Sequence, residues 1–194
     1  MTEPGDRAPA PGPLRDLQAL ANTVDLESGE DALRTPAGLE AWAREHGLPD
    51  LRCGEADRAA VVALREALRA VCEAHAGTDL PDAAAAVLER LLARGPLVLA
   101  VDTAGGARLR PADGLAGADA VVAHLAAGVA AAVADGSWPR LKACAMDSCR
   151  WVYYDRSPAG RSRWCSMAVC GSRAKMRAYR RRGAGGAGAG HSSG

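Results

Sequence analysis

The chain has 194 residues, 48% of them hydrophobic, with 24 Lys and Arg against 23 Asp and Glu and six cysteines. That length allows one or two domains with a real core, and no run of eighteen apolar residues is available to cross a bilayer, because Asp119, His124 and Gly128 interrupt the alanine-rich stretch 116–134. Near-neutrality conceals a split: Arg140 to Arg182 carries twelve basic residues and two acidic ones, a net +10, which leaves −9 on the rest and implies a polyanion-binding unit joined to an acidic one.

Residues 1–13 mix Pro, Gly, Ala and charge without periodicity and are expected to form a disordered tail; nothing in them has the apolar segment of a signal peptide, so a soluble cytoplasmic protein is expected. From Leu14 the pattern turns helical, with Leu14, Leu17, Leu20, Ala21 and Val24 on one stripe. Asn22 and Asp25 follow it. They are candidates for lining the pocket of a small-molecule effector, although such residues near a helix end commonly bond backbone groups. Thr35-Pro36 reads as an N-cap and first helical residue, opening a helix with Leu39, Trp42, Ala43 and His46 on one face that stops at Gly47.

A helix over about 55–76 presents Val61, Leu64, Leu68, Val71 and His75, and one over about 82–94 presents Val87, Leu88, Leu91 and Leu92. Residues 96–102 and 107–110 read as strands joined at Thr103-Ala104-Gly105-Gly106, a hairpin near 97–110 that must lie against the helices to be stable. A helix over about 116–135 turns Val121, Val122, Leu125, Val129 and Val133 inward, and Gly136-Ser137-Trp138-Pro139 ends it. The fold expected is mainly α with a small β-hairpin, an α+β chain whose helical domain spans 14–136. His46, His75 and His124 fall on separate helices with no neighbouring ligand at metal or catalytic spacing, and no nucleophile–base pair, carboxylate pair or phosphate loop can be assembled, so an enzyme is not expected.

Cys144 and Cys149, then Cys165 and Cys170, form two pairs with four residues inside each and fifteen between them. That spacing lets four thiolates converge on one tetrahedral Zn²⁺, a closed structural site with no open catalytic position. Two disulfides, or four unrelated buried thiols, are the alternatives, and the first requires an oxidising compartment. Between the pairs, period two sends Trp151 and Tyr153 to one face of a strand and Tyr154 to the other, either to stack on bases or to fill a small core. Residues 166–182 read as a helix capped by Ser166, with Met167, Cys170, Ala174 and Ala178 on one face and Arg173, Arg177 and Arg180 on another; Gly171 permits a close backbone approach. Residues 183–194, GAGGAGAGHSSG, read as a second disordered tail.

The segment resembles the CGNR zinc finger, a bacterial module. The residues that carry the likeness are Cys144 and Cys149; Trp151-Val152-Tyr153-Tyr154-Asp155-Arg156-Ser157; Arg161 and Arg163; Trp164-Cys165-Ser166-Met167; and Cys170-Gly171-Ser172-Arg173-Ala174-Lys175, with Ser172 where the family has Asn. The part before it resembles the ABATE domain that accompanies such fingers, through Leu20-Ala21-Asn22-Thr23-Val24-Asp25 and the helix with Leu39 and Trp42 that ends at Gly47-Leu48. The resemblance implies a transcription regulator in which a finger over 140–182 binds duplex DNA and the helical domain acts as a sensor or ancillary element. Arg161, Arg163, Arg173, Lys175, Arg177, Arg180, Arg181 and Arg182 are then the candidate nucleic-acid contacts, with Arg173 the best placed to read a guanine. Charge and spacing by themselves are equally compatible with an RNA-binding zinc module, or with a redox- or zinc-responsive interaction module. The opposite charges of the two parts also give them a means to dock on one another and mask the finger.

Overall fold

The structure is a computed structural model that describes residues 7–186, with side chains as far as Arg181. The tail expectations for 1–6 and 187–194, and the side chain of Arg182, lie outside the described residues. In chain order the elements are α1 (Leu14–Ala21), α2 (Pro36–Glu45), α3 (Glu55–His75), α4 (Asp82–Leu92), β1 (Leu97–Val101), β2 (Ala107–Pro111) and α5 (Gly117–Ala134). A 3-10 turn (Trp138–Arg140), β3 (Leu141–Ala143), β4 (Val152–Tyr154), a π-helical turn (Met167–Gly171) and α6 (Ser172–Gly186) follow.

The helical body is built around α3 and α5, against which α1, α2, α4 and the β1–β2 hairpin pack. Leu14, Leu17, Leu20, Leu39, Val61, Leu64, Val121 and Leu125 form its core, the residues that helical periodicity assigns inward. The Thr35 hydroxyl accepts from the Gly38 amide, which starts α2 where the Thr-Pro pair predicts. Some inward assignments differ. Val24 lies beyond α1 and pairs in an isolated bridge with Asp31; the Thr23 hydroxyl donates to the Leu20 carbonyl and closes the helix before it. Val133, at the end of α5, is exposed, and Val87, Leu88 and Leu92 on the outer helix α4 are only half-buried.

The β1–β2 hairpin is antiparallel, with Leu99 opposite Leu109 and Val101 opposite Ala107. Its turn is held by Asp102, whose Oδ1 accepts from the Ala104 and Gly106 amides. The hairpin packs on α5, yet Leu99, Val101 and Leu109 remain exposed. The expectation that Asp119, His124 and Gly128 leave no segment fit to cross a bilayer is corrected: by length and composition α5 is apolar enough, with a mean hydropathy of 1.6, but half of it is buried against the rest of the protein.

A second antiparallel hairpin, β3–β4, pairs Leu141 with Tyr154, Lys142 with Tyr153 and Ala143 with Val152. One face, carrying Leu141, Ala143 and Val152 with Tyr154 at its edge, belongs to the core of the helical body. The other side carries Trp151 and Tyr153, which with Met146 and the four cysteines form a second, smaller core. The hairpin is thus a wall shared by the body and the cysteine-rich segment.

The tail expected over 1–13 is corrected from Arg7 onward. Ala10 is buried beside α1, its amide donating to Gln18 Oε1 at 2.6 Å, and Gln18 in turn donates to the Val152 carbonyl at 3.2 Å. A small residue fills the gap there, which composition does not reveal. At the other end α6 continues to Gly186, past the expected start of the second tail at 183.

Candidate metal centre and basic helix

Cys144 follows β3 directly, its amide donating to the Trp151 carbonyl at 2.9 Å so that the hairpin ladder runs into the first knuckle. The chain then turns: the Cys149 and Arg150 amides both donate to the Met146 carbonyl, at 2.8 and 3.0 Å. Arg150 takes a left-handed conformation, φ 49°, unusual for a residue with a side chain. It is fixed from both ends, since its guanidinium pairs with Glu73 of α3 and its carbonyl accepts from Arg69 Nη1 at 2.8 Å.

The second knuckle is a helix start. Ser166 Oγ accepts from the Val169 amide at 3.3 Å, and the Gly171 amide donates back to the Ser166 carbonyl at 3.0 Å, a wide turn that swings Cys170 round to Cys165. A Cβ on Gly171 would lie 3.1 Å from Met167 Sδ and Cε and 3.4 Å from Trp164 Cδ1, the close approach expected. The wide turn also displaces Met167 from the inward face to an exposed position. Ser172 donates from Oγ to the Met167 carbonyl at 3.2 Å, bonding the turn from within.

All four cysteines are buried and their Sγ atoms lie within 4.8 Å of one another. Cys149 and Cys165 are 3.7 Å apart, Cys165 and Cys170 3.6 Å. Those are far beyond the roughly 2.05 Å of a disulfide. They match the edge of a tetrahedron whose centre is about 2.3 Å from each sulfur, which is about 3.8 Å. The thiols press on one another: hydrogen bonds from Cys149 and Cys165 draw the Cys144 thiol below its ordinary range, while Cys149 and Cys165, donating to it, are pushed up, and burial pushes up Cys170. Four such groups ionise together only around a cation, so the donor set fits one structural zinc, which supplies a cross-link and no reaction. Cys53 and Cys72 stand apart, burial pushing their thiols to about 11 and about 12.

The aromatic segment closes the finger. Trp151 and Tyr153 are buried in its core, and the Tyr153 hydroxyl donates to the Ser162 carbonyl at 2.7 Å. Asp155 is fully buried. It accepts from Lys142 Nζ at 3.0 Å, the Ser157 amide at 3.0 Å and the Ser162 amide at 2.9 Å, and although burial alone would raise it, these bonds hold its carboxyl well below the usual range. The Asp155-Arg156-Ser157 signature is thereby a device for folding the loop that carries Arg161 and Arg163.

The basic candidates divide by position. Arg173, Lys175, Arg177, Arg180 and Arg181 are exposed on α6, which packs on the finger core through Ala174; with Arg182, six basic residues and no acidic one fall between Ser172 and Arg182. Arg173 pairs with Glu27, and Arg177 Nη1 lies 3.1 Å from Met146 Sδ. A groove of about 490 Å³ along α6 is lined by Val169, Ser172, Arg173, Met176, Arg177 and Arg180. Arg161 and Arg163 are exposed on the preceding loop, Arg163 lying 5.9 Å over the Trp164 ring.

Both effector candidates bond backbone groups of the protein itself, and Asn22 also lines a groove of about 380 Å³ with Pro9, Arg15, Gln18, Ala19 and His46. Asn22 is buried and bonds both backbone groups of Val152, Nδ2 to the carbonyl and Oδ1 from the amide, each at 2.8 Å, so that its amide extends the β4 ladder. Asp25 is half-buried and accepts from the Glu27 and Ser28 amides at a tight turn. A groove of about 420 Å³ in the body lies elsewhere, between Gly47–Arg52 and Leu115–Ala120.

Two polar clusters were not legible in the spacing. Arg69 of α3 is fully buried; it donates to the carbonyls of Ala21 and Arg150 and pairs with Glu66, joining α1, α3 and the first knuckle. Asp16 brings together His46 and His124, each at 2.8 Å, from positions 30 and 108 residues away. Burial raises the Asp16 carboxyl, but the bonds from His124 and His46 bring it below the ordinary value.

Comparison with known families agrees with this geometry. The CGNR zinc finger model matches residues 140–183, and the ABATE model, described as "Putative stress-induced transcription regulator", matches residues 17–136. A search of curated proteins returned no match. The second model spans more than half of the chain, and the chain belongs to the ABATE family, with a CGNR zinc finger following its ABATE domain.

Proposed function

We propose that the protein is a zinc-dependent transcription regulator that binds duplex DNA through its finger, with Cys144, Cys149, Cys165 and Cys170 as the ligands of one structural zinc. The observation that carries this reading is α6: a 15-residue helix that starts on the cysteine cluster, leaves Arg173, Lys175, Arg177, Arg180 and Arg181 exposed, and has no acidic residue of its own. Such a helix, repelled by its own charges, is suited to a groove lined by phosphates. Arg173 sits nearest the knuckle and is the candidate for guanine readout; Arg177, Arg180, Lys175, Arg181, Arg182 and the loop pair Arg161 and Arg163 supply phosphate contacts. Trp151 and Tyr153 are buried and unable to stack on unpaired bases, while Tyr179 on α6 is exposed. The ABATE body is the sensor or ancillary part of the molecule.

The test is binding of the zinc-loaded protein to random duplex against single-stranded DNA and RNA competitors, over a salt series. Duplex should compete best. Replacing Arg177 and Arg180 together by Ala should flatten the slope of log K against log salt by about two, at roughly one unit for each phosphate no longer neutralised. Equal binding of all three competitors, or an unchanged slope, would exclude the duplex reading of this helix.

A further inference from the structure

We infer that Arg7 is a positioning residue of the metal centre, and that residues 7–10 form a strap that holds the second knuckle in its metal-binding geometry. The inference rests on the four-cysteine zinc site and on nothing about DNA. Arg7 Nε donates to the Cys165 carbonyl at 2.8 Å and Nη2 to the Trp164 carbonyl at 3.1 Å, so one guanidinium grips two consecutive peptide oxygens, one of them of a ligand residue. The same guanidinium lies 4.6 Å over the ring of Tyr153. Tyr153 is itself 1% exposed and bonded through its hydroxyl to Ser162, so the platform beneath Arg7 is rigid.

The strap is anchored behind Arg7 at two points. The Pro9 carbonyl accepts from Arg156 Nη2 at 2.5 Å, and the Ala10 amide is held by Gln18 of α1 at 2.6 Å. Arg7 therefore reaches the knuckle from a fixed base and contributes orientation as well as charge.

Two physical effects follow. The peptides before and after the Cys165 Cα set the direction in which its sulfur points, and the fork of Arg7 holds both, the one before through the Trp164 carbonyl and the one after through the Cys165 carbonyl. Four thiolates around Zn²⁺ also leave a net charge of −2 in a buried site, for which a guanidinium in contact with the ligand backbone compensates. Lys142, which is buried within the finger, is already neutralised by Asp155. A planar fork is required for the two-carbonyl grip, so Lys restores the charge without the geometry. Outer partners of metal ligands are typically worth about 10- to 100-fold in metal affinity.

The test uses the full chain loaded with zinc and follows transfer of the metal to a chromogenic chelator, for the wild type and for Arg7→Ala, Arg7→Lys and Arg52→Ala; Arg52 is an exposed arginine remote from the finger. Arg7→Ala is expected to release zinc at least about tenfold faster, Arg7→Lys to fall between it and the wild type, and Arg52→Ala to match the wild type. The d–d bands of the Co²⁺-substituted Arg7→Ala protein should keep the positions of a four-sulfur site, which separates loosened geometry from a lost ligand. Release from Arg7→Ala at the wild-type rate would overturn the inference while leaving the zinc site standing. A wild type that retains no zinc would remove the site itself. Should Arg7→Ala fail to fold, Arg7→Lys carries the test alone, and release at the wild-type rate overturns the inference.

Discussion

At the scale of single residues, the join between body and finger depends on buried polar side chains. Arg69 is fully enclosed, and its guanidinium is shared among the Ala21 carbonyl at the end of α1, Glu66 on its own helix and the Arg150 carbonyl in the first knuckle. Burial lowers its pKa, the sign of a charge held at a desolvation cost that only these partners offset. Arg69→Ala should leave the carbonyls of Ala21 and Arg150 without their donor, while Glu66 keeps Arg65, and should cost about 1–3 kcal/mol, the range for buried polar groups left unsatisfied. The midpoint of urea unfolding for the zinc-loaded protein checks this; a loss under about 1 kcal/mol would rank Arg69 with ordinary surface arginines. Hydrophobic periodicity assigns Val61, Leu64 and Leu68 of α3 inward, but it is silent about Arg65 and Arg69, which follow Leu64 and Leu68 on the same helix. An arginine is buried only when acceptors from distant segments meet it, and that meeting is a property of the tertiary fold.

At the scale of elements, the second hairpin explains how a four-cysteine finger is attached. Leu141, Ala143 and Val152 are part of the body's core, while the knuckles and α6 have only the small second core and the sulfur cluster. Zinc removal by a chelator should therefore act on one part of the molecule. An isolated helix of 15 residues with its arginines crowded together is marginal in water, so α6 should melt. Far-UV circular dichroism should lose roughly a fifth of its helical signal, in proportion to the share of α6 among the six helices, and the thermal transition of the body should persist. Loss of all cooperative unfolding on chelation would mean instead that the metal holds the whole chain. The long helices were legible because each buries one apolar stripe. Strand β3 was not: three residues, Leu-Lys-Ala, carry too little alternation to mark a strand, and only pairing with β4 makes them one. The π-helical turn was equally hidden, since Ser166 caps the helix in either geometry and the need to bring Cys170 to Cys165 decides between them.

At the scale of the whole molecule, the split between an acidic body and a basic finger is visible in the sequence, but where the two meet is not. Asp25 caps a tight turn, Gly29 takes φ 75°, and the bridge between Val24 and Asp31 closes the loop, which presents Glu27 to Arg173 at the start of α6. Arg173 is also the residue to which the proposed function gives base readout, and under that proposal DNA would compete with Glu27 for it. Both partners are about half exposed, at 48% and 45%, and an ion pair of that kind is weak and screened by salt. Glu27→Gln should accordingly tighten duplex binding by up to about fivefold, with the larger gain at low salt, where both the internal pair and the phosphate contacts are strongest. Arg173→Ala in the Glu27→Gln background should abolish that gain, because the carboxylate acts through this one guanidinium. Weaker binding by Glu27→Gln would assign the acidic loop the opposite role, holding Arg173 in a conformation ready for the groove. A gain of the same size in Glu27→Gln with and without Arg173 would make it a matter of net charge, acting on the approach of DNA to the whole surface rather than on one side chain.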